Sequence, residues 1–386
     1  MVRKLKRLDA AIVALLAAMA AFSTALIYSA VYGTPNEGLH VRNLIHYAAG
    51  FGLFLAVAML DYRRLLRAAP YLYAAGVLLL LLVLRFGTEI NGSRGWFRFG
   101  GFSFQPAEAA KFVLVIALSA FLGRRRGEPL RFWRDWVPLG ALVAVPFTLT
   151  IVQPDLGNAV IYLFILVAML WVGQAKYTHV AAALVVVAVV AALFVVSFED
   201  LREPLRALLE RWLHKGHWVD RIDMFLNPEA GRADVYHVEK AYIAIGSGRW
   251  IGDGFLQGNS VHKRFIPYVY SDSIVVVAGE EFGFVGMSVL LLAYFLLIYR
   301  MILIAIQCRD FRGAYLISGT IALVASQVFL NVGMHLKLVP FTGITLPLIS
   351  YGGSSLLVLM AGFGVVASVR VHQEEPLLYA VGDKAS

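Results

Sequence analysis

The sequence predicts an all-α polytopic membrane protein with about ten transmembrane helices and a large external loop between spans 7 and 8. Three observations predict it. Hydrophobic residues make up 60% of the 386 and charged residues only 15%, with a mean hydropathy of +0.73. Apolar stretches near the roughly 20 residues that a spanning helix needs recur along the chain. Basic residues fall in short clusters at every second gap between those stretches. So few charges exclude a soluble globular domain and a disordered chain alike. The formal net charge of +9 fits membrane orientation, because the clusters do not form the continuous basic face that nucleic acid binding requires. A single cysteine, Cys308, excludes an intramolecular disulfide and any cysteine-based zinc site.

The spans run 9–32, 42–61, 68–87, 106–123, 136–152, 158–174, 178–198, 273–304, 314–336 and 354–371. The first follows Arg3-Lys4-Leu5-Lys6-Arg7 and is too long for a signal-peptide core, so it reads as a retained span. Spans 5 and 6 are short and are expected to tilt or to bury their ends. Arg3, Lys4, Lys6 and Arg7 precede span 1, and Arg63, Arg64 and Arg67 follow span 2. Arg124, Arg125, Arg126, Arg131 and Arg134 follow span 4; Lys176 follows span 6; Arg300 stands in the last turns of span 8, and Arg309 and Arg312 follow it. This alternation puts both termini, including the short 372–386 tail, in the cytoplasm, and the chain 1–386 reads as one integral membrane domain.

The opposite side carries different material. Segment 88–106 is rich in glycine and aromatics, Gln153-Pro154-Asp155-Leu156-Gly157 is a tight turn, and 337–353 is rich in proline and glycine. The 199–272 connection is longer than connections usually are unless they are functional. Its first part, Leu201 to Trp218, has Leu205, Leu208, Leu209 and Trp212 at amphipathic spacing, suited to lying along the membrane surface. Pro340 and Pro347 are expected to shape a capping or re-entrant loop buried in protein.

Ionisable groups near hydrocarbon depth are the informative ones, since each costs several kcal/mol unless paired or functional. Glu108 and Lys111 are three residues apart at the start of span 4 and share a helix face, either as a structural ion pair or as the lining of a polar cavity. Asp155 precedes span 6 and Asp272 precedes span 8, and each is suited to capping the helix that follows. Capping cannot account for Glu280 and Glu281, two turns deeper in an apolar run; at least one needs a polar partner, with Arg221, Lys240 and Lys263 as loop candidates. Asp272 and Glu280 would lie about 12 Å apart along a helix axis, outside the roughly 5 to 9.5 Å of two-carboxylate glycosidases. Asp272 therefore reads as a single base.

Four segments together resemble the membrane glycosyltransferase family of bacterial shape, elongation, division and sporulation proteins represented by RodA and FtsW. They are Asn91-Gly92-Ser93-Arg94-Gly95-Trp96 with Gln105-Pro106-Ala107-Glu108 and Lys111; the Gln153–Gly157 turn; Gly258-Asn259-Ser260-Val261 through Pro267 to Ser271-Asp272 and Gly279-Glu280-Glu281; and the long run Thr342 to Ser355, containing Ser350-Tyr351-Gly352-Gly353. The last is the most specific. The resemblance extends from span 1 to span 10, and it implies an enzyme that polymerises lipid II into β-1,4 glycan strands outside the cytoplasmic membrane. It further implies that Asp272 is the essential aspartate. Trp96, Glu108, Lys111, Asp155 and Ser350 match family motifs, as does Arg221 with Phe225 and Pro228. Ala107 stands where serine is usual, Gly95 where arginine is frequent, and Ser273-Ile274-Val275-Val276 follows the aspartate in place of Phe-Ile-Phe-Ala. Gly258-Asn259-Ser260 and Gly343-Ile344-Thr345-Leu346-Pro347 resemble the division-type FtsW more than RodA.

The reaction so implied joins a sugar 4-hydroxyl to the anomeric carbon of an α-linked polyprenyl diphosphate. A β product from an α donor means inversion in one displacement. The hydroxyl needs a base, assigned to Asp272, and the departing diphosphate needs positive charge, from Lys111 first and then Arg94, Arg98 and Lys263. A divalent cation, Mg²⁺ or Mn²⁺, at Glu108, Asp155 or Asp272 is an open expectation that no ligand spacing identifies. Gly352, Gly353, Gly283 and Gly286 suit close helix packing or hinges beside apolar grooves for the lipid chains. The resemblance also implies a single-span class B penicillin-binding protein as partner, together with other divisome or elongasome membrane proteins. A flippase for lipid-linked precursors and a non-catalytic transpeptidase scaffold are the alternatives; motifs clustered on the exterior side and no apparent repeat favour exterior chemistry.

Overall fold

The computed structural model describes all residues except 1, 91–92, 101, 126, 214–218, 220–222, 224–232, 263–267 and 374–386. Its longer helices, in chain order, are α1 (Ala10–Val31), α2 (Leu39–Met59), α3 (Tyr62–Phe86), α4 (Pro106–Leu122), α5 (Val137–Val152), α6 (Leu156–Val172), α7 (Tyr177–Val196), α8 (Phe198–Leu213), α9 (Ala233–Ser247), α10 (Ile274–Gln307), α11 (Phe311–His335) and α12 (Gly353–Val371). Helices α8 and α9 belong to the long connection; the other ten overlap the ten predicted spans. Among the described residues eight of these (α1 to α5 and α10 to α12, with α4 prolonged to Arg125 and α5 begun at Phe132) are long and apolar enough to cross a membrane, while α6 ends at 17 residues. The chain is a multi-pass membrane protein.

Burial sorts the bundle into layers. Between 67% and 78% of the apolar stretch of α4, α11 and α12 is buried, against 22–39% for α1, α2, α3, α5 and α10. Helices α4, α11 and α12 form the core and the others face lipid on one side, as expected of helices apolar all round. Around this core, α3 runs along α4, α2 along α12, and α6 and α10 along α11.

Several boundaries differ from the sequence reading for local reasons. Helix α3 starts at Tyr62 rather than at 68, because the Asp61 carboxylate accepts from the Arg63 amide and caps it; Arg63, Arg64 and Arg67 therefore lie inside its first turns. The amphipathic helix expected over 201–218 is α8, ending at Leu213; Trp218 lies outside the described residues. Segment 88–106 contains a small antiparallel sheet that helix-span reasoning did not predict: β1 (Thr88–Ile90), β2 (Ser93–Phe99) and β3 (Phe102–Phe104), in that spatial order.

Helix α10 is broken at Gly283, where φ is +61° and ψ −158°. The break exposes backbone groups that the 248–254 loop satisfies. The amides of Asp253 and Gly254 donate to the carbonyls of Glu280 and Glu281 (2.9 and 3.1 Å), and the amides of Phe284 and Val285 donate to those of Arg249 and Trp250 (2.8 and 3.0 Å). This corrects the picture of Glu280 and Glu281 inside a continuous membrane helix. They end a buried half-helix, and residues 284–307, about 36 Å long at 1.5 Å per residue, suffice to cross the bilayer. Glu280 accepts from the Ser260 amide at 2.7 Å and Glu281 from the Ser29 hydroxyl, so both serve the structure here. Arg221 and Lys263, two of their suggested partners, lie outside the described residues. A Cβ on Gly283 would stand 2.4 Å from the Gly252 nitrogen and 2.6 Å from the Gly248 carbonyl oxygen. Gly283→Ala is therefore expected to destabilise by about 3 kcal/mol or more through strain and backbone overlap; thermal unfolding of the purified variant in detergent measures it.

The 337–353 segment is non-helical up to Gly352, and from Ile344 to Ser350 it is buried but for the half-buried Thr345. Side chains from four helices satisfy its carbonyls. Ser23 donates to Ile349 (2.7 Å), Asn331 to Ile344 (2.6 Å), Tyr47 to Leu348 and Tyr294 to Pro347. Irregular backbone at membrane depth persists only under such protection.

At the far end of the bundle, where residues near both termini meet, buried Asp9 caps α1 and pairs with Arg300 of α10 and Arg370 of α12. Burial opposes ionisation of Asp9, but the Arg300 hydrogen bond, with the Ile12 amide and Arg370, outweighs it and holds the carboxyl below its usual value of 3.8. A depressed carboxyl stabilises the fold above that value and loses the contribution as pH falls below it. Asp9→Asn is expected to cost about 2 kcal/mol at neutral pH, between an exposed and a buried pair, and to flatten the acid side of the stability profile in detergent.

Candidate active site

The opposite end of the bundle, which carries the β-sheet, gathers the motif residues. Pro106 opens α4 and brings Glu108 and Lys111 onto one face; their ion pair measures 2.8 Å and both side chains are buried. The Tyr162 hydroxyl of α6 donates to the Ala107 carbonyl at 3.1 Å, locking this first turn against α6. Asp155 does cap α6, accepting from the Asn158 amide at 3.1 Å, but its second oxygen also accepts from the Asn158 side chain (2.7 Å) and from Gln105 (2.8 Å). Burial pushes the Asp155 carboxyl above its ordinary range; the Asn158 bonds act against this, the Glu108 charge adds to it, and Lys111 offsets part. Glu108, Lys111 and Asp155 are thus one electrostatic cluster, as the sequence could not show.

The sheet docks beside this cluster through Ser93 and Gly95. Ser93 donates to the Gln153 carbonyl at 2.6 Å, and Gly95 is buried with its Cα side toward Gln153 and Gln105. Strand alternation puts Arg94, Trp96 and Arg98 together on the other face, where the two arginines are exposed and Trp96 is half-buried. The structure therefore unites these three with one another but turns them away from the Gln105–Asp155 contact. Gly95, which departs from a frequent arginine, is the residue against the turn.

Asp272 reaches the same neighbourhood from another element. A Cβ on Gly343 (φ +68°) would lie 3.6 Å from Asp272 Oδ2, so the bare glycine backbone forms one wall beside the carboxylate. The residues flanking that wall press on the Pro-Asp-Leu-Gly turn: a Cβ on Gly157 would be 3.0 Å from the Thr342 carbonyl oxygen and 2.6 Å from Ile344. One strand of chain, Thr342-Gly343-Ile344, thus stands between Asp272 and the turn bearing Asp155. Tyr270 and Tyr351 line the same side, with the Tyr351 amide donating to the Tyr270 carbonyl at 2.9 Å and the rings 6.1 Å apart. Burial pushes the Tyr270 phenol up, and the charges of Tyr268, Tyr351 and Asp272 push it further.

The remaining expected residues take quieter places. Ser350 is buried and its hydroxyl accepts from the Leu346 amide at 2.8 Å, holding the loop turn. Gly352 and Gly353 begin α12, the Gly352 carbonyl accepting from the Leu356 amide at 3.0 Å. Arg221 and Lys263 fall outside the described residues. Among the described residues no group of three or more His, Cys, Asp or Glu is arranged to hold a metal ion. Glu108 is paired with Lys111, and Asp155 accepts from the Asn158 backbone and side-chain amides and from the Gln105 side chain. Sequence reasoning quoted Gln105 only as part of a motif, and it missed Asn158, which with Gln105 orients Asp155, Arg42 at the start of α2, whose charge acts on the Tyr351 phenol, and Asn331 of α11. Gln105 and Arg42 are detectable as polar residues at span borders; Asn331 offers no such signal.

Comparison with known proteins agrees with this architecture. The family model described as cell cycle protein, covering FtsW, RodA and SpoVE, matches residues 5–375. The chain is 32% identical over 368 residues to the peptidoglycan glycosyltransferase MrdB of Escherichia coli K12, covering 95% of this chain and 94% of the relative. It is 34% identical over 304 residues to a probable peptidoglycan glycosyltransferase FtsW of Acinetobacter baylyi, covering 78% and 71%. Identity alone therefore does not single out the FtsW type. The crystal structure of the rod shape determining protein RodA of Thermus thermophilus superposes with a TM-score of 0.69 at 31% identity, covering 96% of this chain and 98% of that one. A chain from a peptidoglycan synthase complex that coordinates polymerization and crosslinking superposes with a TM-score of 0.78 at 30% identity, covering 96% and 99%. The protein is a member of the FtsW, RodA and SpoVE family of cell cycle proteins.

Proposed function

We propose that the protein is a peptidoglycan glycosyltransferase that polymerises lipid II in cell elongation or division, with the sheet-bearing end of the bundle on the outer face of the bacterial cytoplasmic membrane and both termini in the cytoplasm. The observation that carries the reading is the convergence, at one end of a lipid-facing bundle, of Asp272 with the 342–344 strand, the Asp155 turn and the Glu108–Lys111 pair. Asp272 takes the proton from the 4-hydroxyl of the incoming sugar as its oxygen attacks the anomeric carbon of the lipid-linked strand; the diphosphate leaves with the bonding electrons. Lys111, fixed by Glu108 on the first turns of α4, supplies positive charge as charge builds on the diphosphate. No covalent enzyme intermediate forms, and the product is inverted.

The relative from a synthase complex supports a crosslinking partner, a class B penicillin-binding protein, within the divisome or elongasome. Purified protein incubated with lipid II, with that partner where required, is expected to yield glycan chains resolved on a gel. Transport of the precursor across vesicles without chain growth would instead identify a flippase, and neither activity a scaffold.

A further inference from the structure

Asn331 and His335, one turn apart near the end of α11, are fully buried and belong to none of the motifs above. The Asn331 amide nitrogen donates both to the Asp272 carbonyl (2.7 Å) and to the Ile344 carbonyl (2.6 Å). One side-chain amide therefore clamps the two chain segments that meet at the Asp272 carboxylate. Below it, His335 Nδ1 faces the Asn331 carbonyl oxygen at 2.9 Å, and Nε2 lies 3.0 Å from the Ser273 hydroxyl. A carbonyl oxygen only accepts, so Nδ1 carries the proton; in the neutral ring Nε2 accepts from Ser273. The Phe341 ring stands edge-on to the imidazole, 5.7 Å between centroids, and closes the arrangement from the loop side. The backbone of Asp272 and the side chain of Ser273 are thus both tied to α11, one of the most enclosed helices of the bundle.

We propose that Asn331 and His335 are positioning residues for Asp272: they set where its carboxylate stands relative to Gly343 without touching substrate. The proposal rests on Asp272 being the base. A displacement of about 1 Å at a reacting group is worth on the order of a hundredfold in rate, and only two rotatable side-chain bonds separate the clamped backbone from the carboxylate.

The test measures lipid II polymerisation by the full-length protein, separating kcat from KM, with thermal unfolding in detergent recorded for each variant. Asn331→Ala is expected to lower kcat about a hundredfold while KM for lipid II moves by less than about threefold. Asn331→Asp keeps the shape but, ionised, cannot donate, so it is expected to be as slow as Asn331→Ala. His335→Gln, which retains an acceptor for Ser273, is expected to be faster than His335→Ala. A residue that merely supports the fold would instead lower the melting temperature and leave kcat of the folded fraction unchanged, and that result overturns the proposal. Ser273→Ala, which removes a single hydroxyl, carries the same kcat measurement if the Asn331 variants do not fold. Asp272→Asn is assayed alongside. If it still polymerises, the base assignment has failed; if it is inactive while the folded α11 and Ser273 variants turn over normally, only the positioning role has.

Discussion

Asp272→Asn is expected to lower kcat for lipid II polymerisation by about a thousandfold, within the range that general-base catalysis contributes. The substitution keeps the size of the side chain and its place beside Gly343, and the backbone carbonyl that Asn331 holds is untouched. What it removes is the lone pair that accepts the sugar proton. Folding, partner association and KM are therefore expected to stay near wild type while gel-resolved chains disappear. The pH profile makes a second demand. A carboxylate base works only when ionised, so the wild-type rate is expected to fall on the acid side as Asp272 protonates. Residual activity of the variant is expected to lack that limb. A variant that polymerises at the normal rate, or one that keeps the same acid limb, removes Asp272 from the role.

Lys111→Met is expected to lower kcat by about a hundredfold, the scale of losing one preorganised charge at a site of developing negative charge. It has a second cost that must be separated from the first. Lys111 is buried and 2.8 Å from a buried Glu108, so removing the cation strands a carboxylate and destabilises by about 3 to 5 kcal/mol. Neutralising both partners separates the two effects. The double variant Lys111→Met with Glu108→Gln is expected to recover most of the lost melting temperature and little of the lost kcat. Recovery of both would make the pair a structural ion bridge, the simpler of the two readings its three-residue spacing allows.

Much of the molecule was legible because membrane physics acts on composition and order alone. Long apolar runs have no aqueous alternative, so the span positions followed from hydropathy, and most differ from the observed helices by a few residues. The early start of α3 shows the limit: its first turns are basic and do not look like a span, yet Asp61 caps the helix there. The three strands around Trp96 were missed because short strands at a bundle end carry no spanning signal. With them went the fact that Arg94, Trp96 and Arg98 share a face. The break at Gly283 was equally hidden, since an apolar run reads as continuous whether or not another loop completes its hydrogen bonds.

The chemical groups of the candidate site (Glu108, Lys111, Asp155, Asp272) stand out in the sequence as charges where lipid would tolerate few. Their number, kind and local spacing come from the chain alone. Their relations do not. That Asp155 answers electrostatically to Glu108 and Lys111, that Gly343 walls Asp272, and that Asn331 fastens both Asp272 and Ile344 are contacts between residues far apart in sequence. Hydropathy and helical periodicity report only what a residue's near neighbours share. The meeting of distant segments is set by which helices pack and where a buried loop finds donors for its carbonyls, and only the folded bundle decides that.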